Sequence, residues 1–330
     1  MRSNSALLWL ALAGGMSGAA CGSVAASNDA GRTDSSVETA PPTVAEACDQ
    51  FATTLCSRLD GCAPYLFQIL YGDRTTCTSR VTLGCMRDLE VADTNQTTTD
   101  MATCARDAAN ATCDDLVANV LPASCQIKPG TRRDGEGCGS SWQCMSTHCE
   151  KKDGDCGVCA PRAAANGACT VDEGCTVGLV CAAQKCVAPA ATGAACSAAA
   201  PCRANLYCSA ASSTCIVPLA LGAACANDTG ACDFRHGVMC NTFAAMAMQK
   251  CETIAAAKGG QPCGLVNSTL TVCIENNTCQ GISLIPLQTM GVCPNTAADG
   301  AQCTDSVHCL PPANCVGGLC RLPGTGSCVR

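Results

Sequence analysis

The chain has 330 residues, a formal net charge of -7 and 35 cysteines, but only 2 Trp, 3 Tyr and 4 Phe. That cysteine density marks a disulfide scaffold made for an oxidising compartment. The 48% hydrophobic fraction is mostly Ala and Cys, which bury little area each, so one large apolar core is excluded for the C-terminal two-thirds. The acidic balance argues against nucleic acid and anionic lipid surfaces as partners.

The N-terminus reads as an export signal. Arg2 precedes the apolar run from Ala6 to Ala13, and small residues follow to Cys21. The run is too short to span a bilayer, so residues 1–20 are expected to be a secretory signal peptide. The small residues before Cys21 resemble a bacterial lipoprotein lipobox, which implies that the Cys21 thiol is acylated and becomes the new N-terminus. Gly18 stands where that motif usually has Leu. The rival is cleavage after Val24-Ala25-Ala26, which leaves Ser27 first. Residues 21–42 are small, polar and Pro-ended, as in a disordered tether. Acylation or removal of Cys21 leaves an even 34 cysteines, so complete pairing becomes possible.

Residues 43–127 read as a small all-α domain pinned by disulfides. Thr43-Val44-Ala45-Glu46 is a capping box, and Ala45, Cys48, Ala52, Leu55, Cys56 and Leu59 recur at helical spacing. Cys62-Ala63-Pro64 breaks that helix. Asp73 caps a second, carrying Cys77, Val81, Cys85 and Leu89; Thr99-Asp100 opens a third with Cys104; Thr112 precedes a fourth start. The cysteines of this region, 48, 56, 62, 77, 85, 104, 113 and 125, are expected to be structural. Residues 128–137, polar and rich in Pro and Gly, read as an exposed linker, and no disulfide is expected to cross it.

Residues 138–330 form a cysteine-rich repeat array. The regular blocks are Cys169-Cys175-Cys181-Cys186 and Cys303-Cys309-Cys315-Cys320, with five, five and four residues between cysteines. Further blocks are Cys138-Cys144-Cys149-Cys159, Cys196-Cys202-Cys208-Cys215, Cys225-Cys232-Cys240-Cys251 and Cys263-Cys273-Cys279-Cys293. A glycine sits two or three residues ahead of each block, at 135, 167, 193, 222, 260 and 300, where it permits a turn with positive φ. Such self-similarity marks an array whose units mainly touch their neighbours. Cys315-Val316-Gly317-Gly318-Leu319-Cys320 predicts a β-hairpin on a primed Gly-Gly turn, with Cys315 opposite Cys320. The blocks at 181–186 and 208–215 read as longer-looped versions. Of the three pairings four cysteines allow, hairpin geometry favours first with third and second with fourth. Cys156 and Cys328 are left over, which keeps the array total even.

The pattern G-A-A-C-x5-C-x2-G-L-x-C-x4-C resembles the Dickkopf N-terminal cysteine-rich module, best at 167–217 and 300–322. The whole plan is similar to bacterial lipoproteins that carry a cysteine-rich helical domain before such repeats. The resemblance implies small β-hairpin repeats held by disulfides; no signalling activity carries over, because no receptor-binding residue is identified.

Other chemistry is set aside. Zinc uses paired C-x2-C motifs, and only Cys156-Gly157-Val158-Cys159 has that spacing. The same pair lacks the setting of a redox-active dithiol, so structural pairing is favoured. Asp153-Gly154-Asp155 lacks the remaining ligands of a calcium loop. Asp305-Ser306-Val307-His308 collects triad residue types, but sequence neighbours seldom have triad geometry. Glycosylation sequons begin at Asn95, Asn110, Asn227, Asn267 and Asn276, and are discounted behind a lipoprotein-like leader. No cofactor, metal or catalytic residue is expected. The expectation is a non-enzymatic exported lipoprotein, on the outer membrane or cell surface or otherwise secreted. It would bind a protein or glycan there and meet the bilayer through acylated Cys21. The alternatives are a protease-resistant structural envelope component and, less favoured, an extracellular enzyme or its accessory domain.

Overall fold

The computed structural model describes residues 40–118, 120–151, 156–226, 228, 230–242, 248–275, 277–284, 287–304, 308–322 and 328, with the backbone alone at 283–284 and 287–288. The chain is disulfide-rich, with helices in its N-terminal part and small hairpin sheets after them.

Helix α1 is Val44–Cys62. Its capping box is formed: the Glu46 amide donates to Thr43 Oγ1 at 3.2 Å, and the Thr43 amide donates to the Glu46 carboxylate at 2.8 Å. Pro64 does not simply stop the chain. It opens a further helix, α2, Pro64–Tyr71, because a first-turn residue has no intrahelical use for the amide hydrogen that proline lacks. Helix α3, Arg74–Glu90, starts on Asp73, which accepts from the Thr76 amide at 2.7 Å. Helix α4, Thr98–Ala108, is capped by Thr97 with Asp100 as its reciprocal partner, and α5, Cys113–Val117, by Thr112.

Cys48–Cys85 and Cys56–Cys77 pin α1 against α3. The two bridges are eight residues apart on each helix and run in opposite order, which fixes an antiparallel pair at two points about 12 Å apart. Cys62–Cys113 ties α1 to α5, and Cys104–Cys125 ties α4 to the segment after it. The largest apolar cluster lies here, around Phe51, Leu55, Leu66, Phe67, Met101 and Leu116. Trp142, from the first repeat block, inserts into it. The clusters within the array consist mainly of cysteines.

The six blocks, here modules 1–6 (138–159, 169–186, 196–215, 225–251, 263–293 and 303–320, each taken with the six residues that lead into it), share one hydrogen-bond frame despite unequal lengths. The residue six before the first cysteine pairs in parallel with the second cysteine in every module: Arg132 with Cys144, Ala163 with Cys175, Ala190 with Cys202, Leu219 with Cys232, Ala257 with Cys273 and Ala297 with Cys309. The residue three before it donates its amide to the fourth cysteine's carbonyl, at 2.7–2.8 Å, in all six. That third residue always has positive φ. In module 2 it is Asn166, φ 67°, and not the expected Gly167. Asn tolerates the left-handed region better than most residues, whereas a Cβ on Gly167 would meet Ala163 and the Ala164 carbonyl at 2.9 Å.

The Gly317-Gly318 turn is formed as expected, with φ of 61° and 78° and Cys315 opposite Cys320. Module 2 does not have a longer loop. Its Ala182 faces Lys185 across a two-residue turn in which Ala183 and Gln184 both take positive φ. The 208–215 hairpin does carry the longer connection.

Two features differ from an array of units touching only their neighbours. The segment 128–137 is hydrogen-bonded along its length and is not a loose linker. Lys128 N donates to Gln96 at 3.0 Å, Thr131 N to the Asp93 carbonyl at 3.0 Å and Gly130 N to the Cys144 carbonyl at 2.9 Å. Secondly, modules 1, 4 and 6 and the strand that leads into module 5 all touch the helical part, and the array's two ends are joined.

Candidate functional site: the clasped array and its docking helix

All cysteines from Cys48 onward lie in disulfides. Within each module the bridges run first to third and second to fourth: Cys138–Cys149 and Cys144–Cys159, Cys169–Cys181 and Cys175–Cys186, Cys196–Cys208 and Cys202–Cys215. The same holds for Cys225–Cys240 and Cys232–Cys251, Cys263–Cys279 and Cys273–Cys293, Cys303–Cys315 and Cys309–Cys320. The hairpin explains this: the third and fourth cysteines stand opposite one another, so each reaches back separately to the incoming segment. Among the described residues, no disulfide crosses from the helical part to the array.

Cys156 and Cys328 are bonded to each other across 172 residues. This bridge joins module 1 to the chain that follows module 6 and closes the array into a covalent circle. Cys159 is taken by Cys144, so Cys156-Gly157-Val158-Cys159 is not a redox-active pair. Sulfur triplets such as Cys138, Cys144 and Cys159 approach within metal-binding range. They are crossed disulfides, whereas zinc takes thiolates.

Both ends of the circle dock on α3. Arg80 reaches module 6: Nη1 and Nη2 donate to the two Asp299 carboxylate oxygens at 2.8 Å each, Nε to the Pro311 carbonyl at 2.6 Å and Nη2 to the Leu310 carbonyl at 2.9 Å. A Cβ on Gly84, one turn further along, would touch the Pro312 ring at 3.6 Å. Two turns beyond Arg80, Asp88 accepts from Ser140 Oγ of module 1 at 2.7 Å. Surrounding protein pushes the Asp88 carboxyl above its usual range by burial, only partly offset by the Ser140 hydrogen bond and by Lys151 and Arg87. Near the module 1 end, Asp93 accepts from Arg132 Nε at 2.8 Å, and that bond holds its carboxyl below the usual range.

On the other side, α2 meets module 4 and the strand Ala255–Ala257 that leads into module 5. Tyr65 stacks edge-on against Phe234 with ring centroids 5.3 Å apart, and its hydroxyl donates to the Ala255 carbonyl at 3.2 Å. Burial pushes the Tyr65 phenol up. Beside Phe234, Asp233 accepts from Arg235 Nε at 3.0 Å and pairs with His236 Nδ1 at 2.8 Å. The remaining histidines are separate: His148 is buried in module 1, with its imidazole held below its usual range by burial and then by Arg162, and His308 donates its amide to Asn277.

No family model, curated protein or solved structure matches the chain. Its own residues therefore carry the functional reading. Cys21, Asp153-Gly154-Asp155, Asn227, Asn276 and Asp305-Ser306-Val307 lie outside the described residues. Among the described residues, no helix is long and apolar enough to cross a membrane. The docking residues Arg80 and Asp88 were not singled out by sequence. Their one signal is polarity within an otherwise amphipathic cysteine-bearing helix, which any solvated helix face shares.

Proposed function

We propose that this chain is a non-enzymatic, exported binding protein. It would be anchored through acylated Cys21 and present its array, built on Dickkopf-like repeats, to a protein or glycan at the cell surface. One observation carries the reading. Apart from Val120, the large apolar side chains left exposed among the described residues belong to the array and its connectors, including Val217, Leu221, Met248, Ile282, Met290 and Val292. Exposed apolar side chains set on a rigid frame favour recognition, because little ordering entropy is lost on contact. Modules that keep one hydrogen-bond frame while their inter-cysteine loops vary in length fit the same use.

The test is binding of the purified mature chain to envelope fractions and immobilised glycans. Saturable binding that weakens in a Met290→Ser/Val292→Ser variant supports the reading. Absence of any saturable binding, with full resistance to proteases, favours the structural envelope component. Mass spectrometry of the mature N-terminus tests the anchor: a diacylated or triacylated Cys21 is expected, and a free Ser27 terminus rejects it.

A further inference from the structure

We propose that Cys156–Cys328 is the exchange-labile disulfide of this chain, a redox modification site whose substrate class is a dithiol, and that its reduction unclasps the array without unfolding any module.

The first ground is topological. Each module holds two bridges of its own, with sequence separations between 11 and 20. The clasp spans 172 residues and lies outside that set. Breaking it removes no bridge that a module needs. A reduced module bridge leaves its two thiols side by side in a hairpin, where they re-close readily. Reduced Cys156 and Cys328 are returned to each other only by the docking of the array on the helical part, at their own ends by modules 1 and 6 on α3. Their effective concentration is lower, and reduction is correspondingly easier.

The second ground is access. Cys156 is exposed, whereas most cysteines of the array are buried or half-buried. Among the described residues the other exposed cysteines are Cys315 and Cys113. Cys315 faces Cys320 in a hairpin, which Cys309–Cys320 continues to hold if Cys303–Cys315 opens. Cys113 is bonded to Cys62, which is 5% exposed in the helical core and restores the contact by packing.

The chemistry balances as ordinary exchange. A thiolate of the dithiol attacks Sγ of Cys156, the S–S bond breaks, and Cys328 leaves as a thiolate that takes up a proton. The second thiol of the reagent attacks the mixed disulfide, forming the reagent's own disulfide and releasing Cys156 as a thiol. Two electrons pass from dithiol to protein. Attack falls on Cys156 because Cys328 is 8% exposed.

The test uses the full mature, oxidised chain, exposed to graded dithiothreitol, quenched with an alkylating reagent and mapped by peptide mass spectrometry. Cys156 and Cys328 should be labelled at least ~10-fold faster than any other cysteine, and glutathione should form its mixed disulfide on Cys156. Another pair opening first, or the clasp opening only together with module cysteines, overturns the site. A Cys156→Ser/Cys328→Ser variant tests the conformational part. It should keep amide-exchange protection inside all six modules, yet expand in molar salt, where the Arg80–Asp299 contact is screened. Loss of module protection, or a radius unchanged by salt, overturns the unclasping.

Discussion

Arg80 and Asp299 stand 219 residues apart in sequence and meet through two parallel N–H···O bonds of 2.8 Å. The fork of the guanidinium fits the carboxylate, and its remaining donors take two carbonyls of the same module. Arg80 is well covered, with 14% of its side chain exposed, while Asp299 retains 36%. Arg80→Ala should therefore loosen module 6 by about 2 kcal/mol, the scale of hydrogen bonds to a charged group. The measurement is amide exchange across 297–320, with the clasp intact. Arg80→Lys should restore little, because an ammonium offers a point charge where a planar fork is needed. Full rescue by Lys would remove the geometric argument.

Asp88 gives the interface at module 1 a distinct pH dependence. Its folded carboxyl is raised above the unfolded value. The folded state thus binds more protons than the unfolded state between those two values, and stability from this group falls as pH rises through that window. Asp93 works the other way. Its folded carboxyl is lowered, so its contribution is present above the unfolded value and is lost on acidification through the folded value. Asp88→Asn keeps an acceptor for Ser140 Oγ and removes the ionisation. It should leave the protein as stable or more stable at neutral pH and remove the gain on mild acidification, whereas Asp93→Asn should destabilise at neutral pH. Melting curves across mild acid distinguish them; a neutral-pH loss in Asp88→Asn as large as in Asp93→Asn refutes the assignment.

What the sequence made legible was local. Cysteine spacing marked the modules, the Gly317-Gly318 dipeptide marked its turn and Thr43 with Glu46 marked a helix start, since each depends on residues within a few positions. Pairing followed from the hairpin for the same reason. The partner of Cys156 was not legible, because sequence gives no distance between the two ends of an array. Arg80 with Asp299 is hidden likewise. Cys62-Ala63-Pro64 does end α1, but Pro64 also opens α2, because the residue that ends one helix can open the next. Asn166 does carry a usable signal: five of the six modules keep a glycine three residues before the first cysteine, and that constant offset points to Asn166 rather than to Gly167.

The cysteine-built clusters of the array predict locality of damage. Cys175→Ser/Cys186→Ser removes a bridge spanning 11 residues from module 2. It should cost that module on the order of 3 kcal/mol by freeing its unfolded chain. Module 2 has almost no apolar core to fall back on beyond Ala163, Leu179 and its cysteines. Proteolysis should therefore appear between 163 and 187 while modules 4–6 stay protected. The helical part has its own apolar core, so on full reduction it should keep helical circular dichroism longer than the array keeps protease resistance. Simultaneous collapse of both signals contradicts this division.

The last prediction concerns the segment between the two parts. Arg132 is held: its Nε bonds Asp93, and its amide and carbonyl bond Gln143 and Met145. Arg133 is exposed, although its amide donates to Glu136. Trypsin needs an extended, accessible stretch around its target bond, so cleavage should be slow and should fall after Arg133 rather than after Arg132. Once cut, the pieces should remain together in native buffer through Arg80–Asp299, Ser140–Asp88 and the insertion of Trp142 into the helical core. In denaturant without thiol they should separate, because the disulfides pair Cys125 with Cys104 and Cys156 with Cys328, and no bridge spans the cut. Substituting Asp93 by Asn should free Arg132 and open the second cleavage point. Pieces that stay joined in denaturant until a reductant is added would mean that a disulfide crosses the boundary, and that at least one pairing on each side, Cys104–Cys125 and Cys156–Cys328 among the candidates, is wrong.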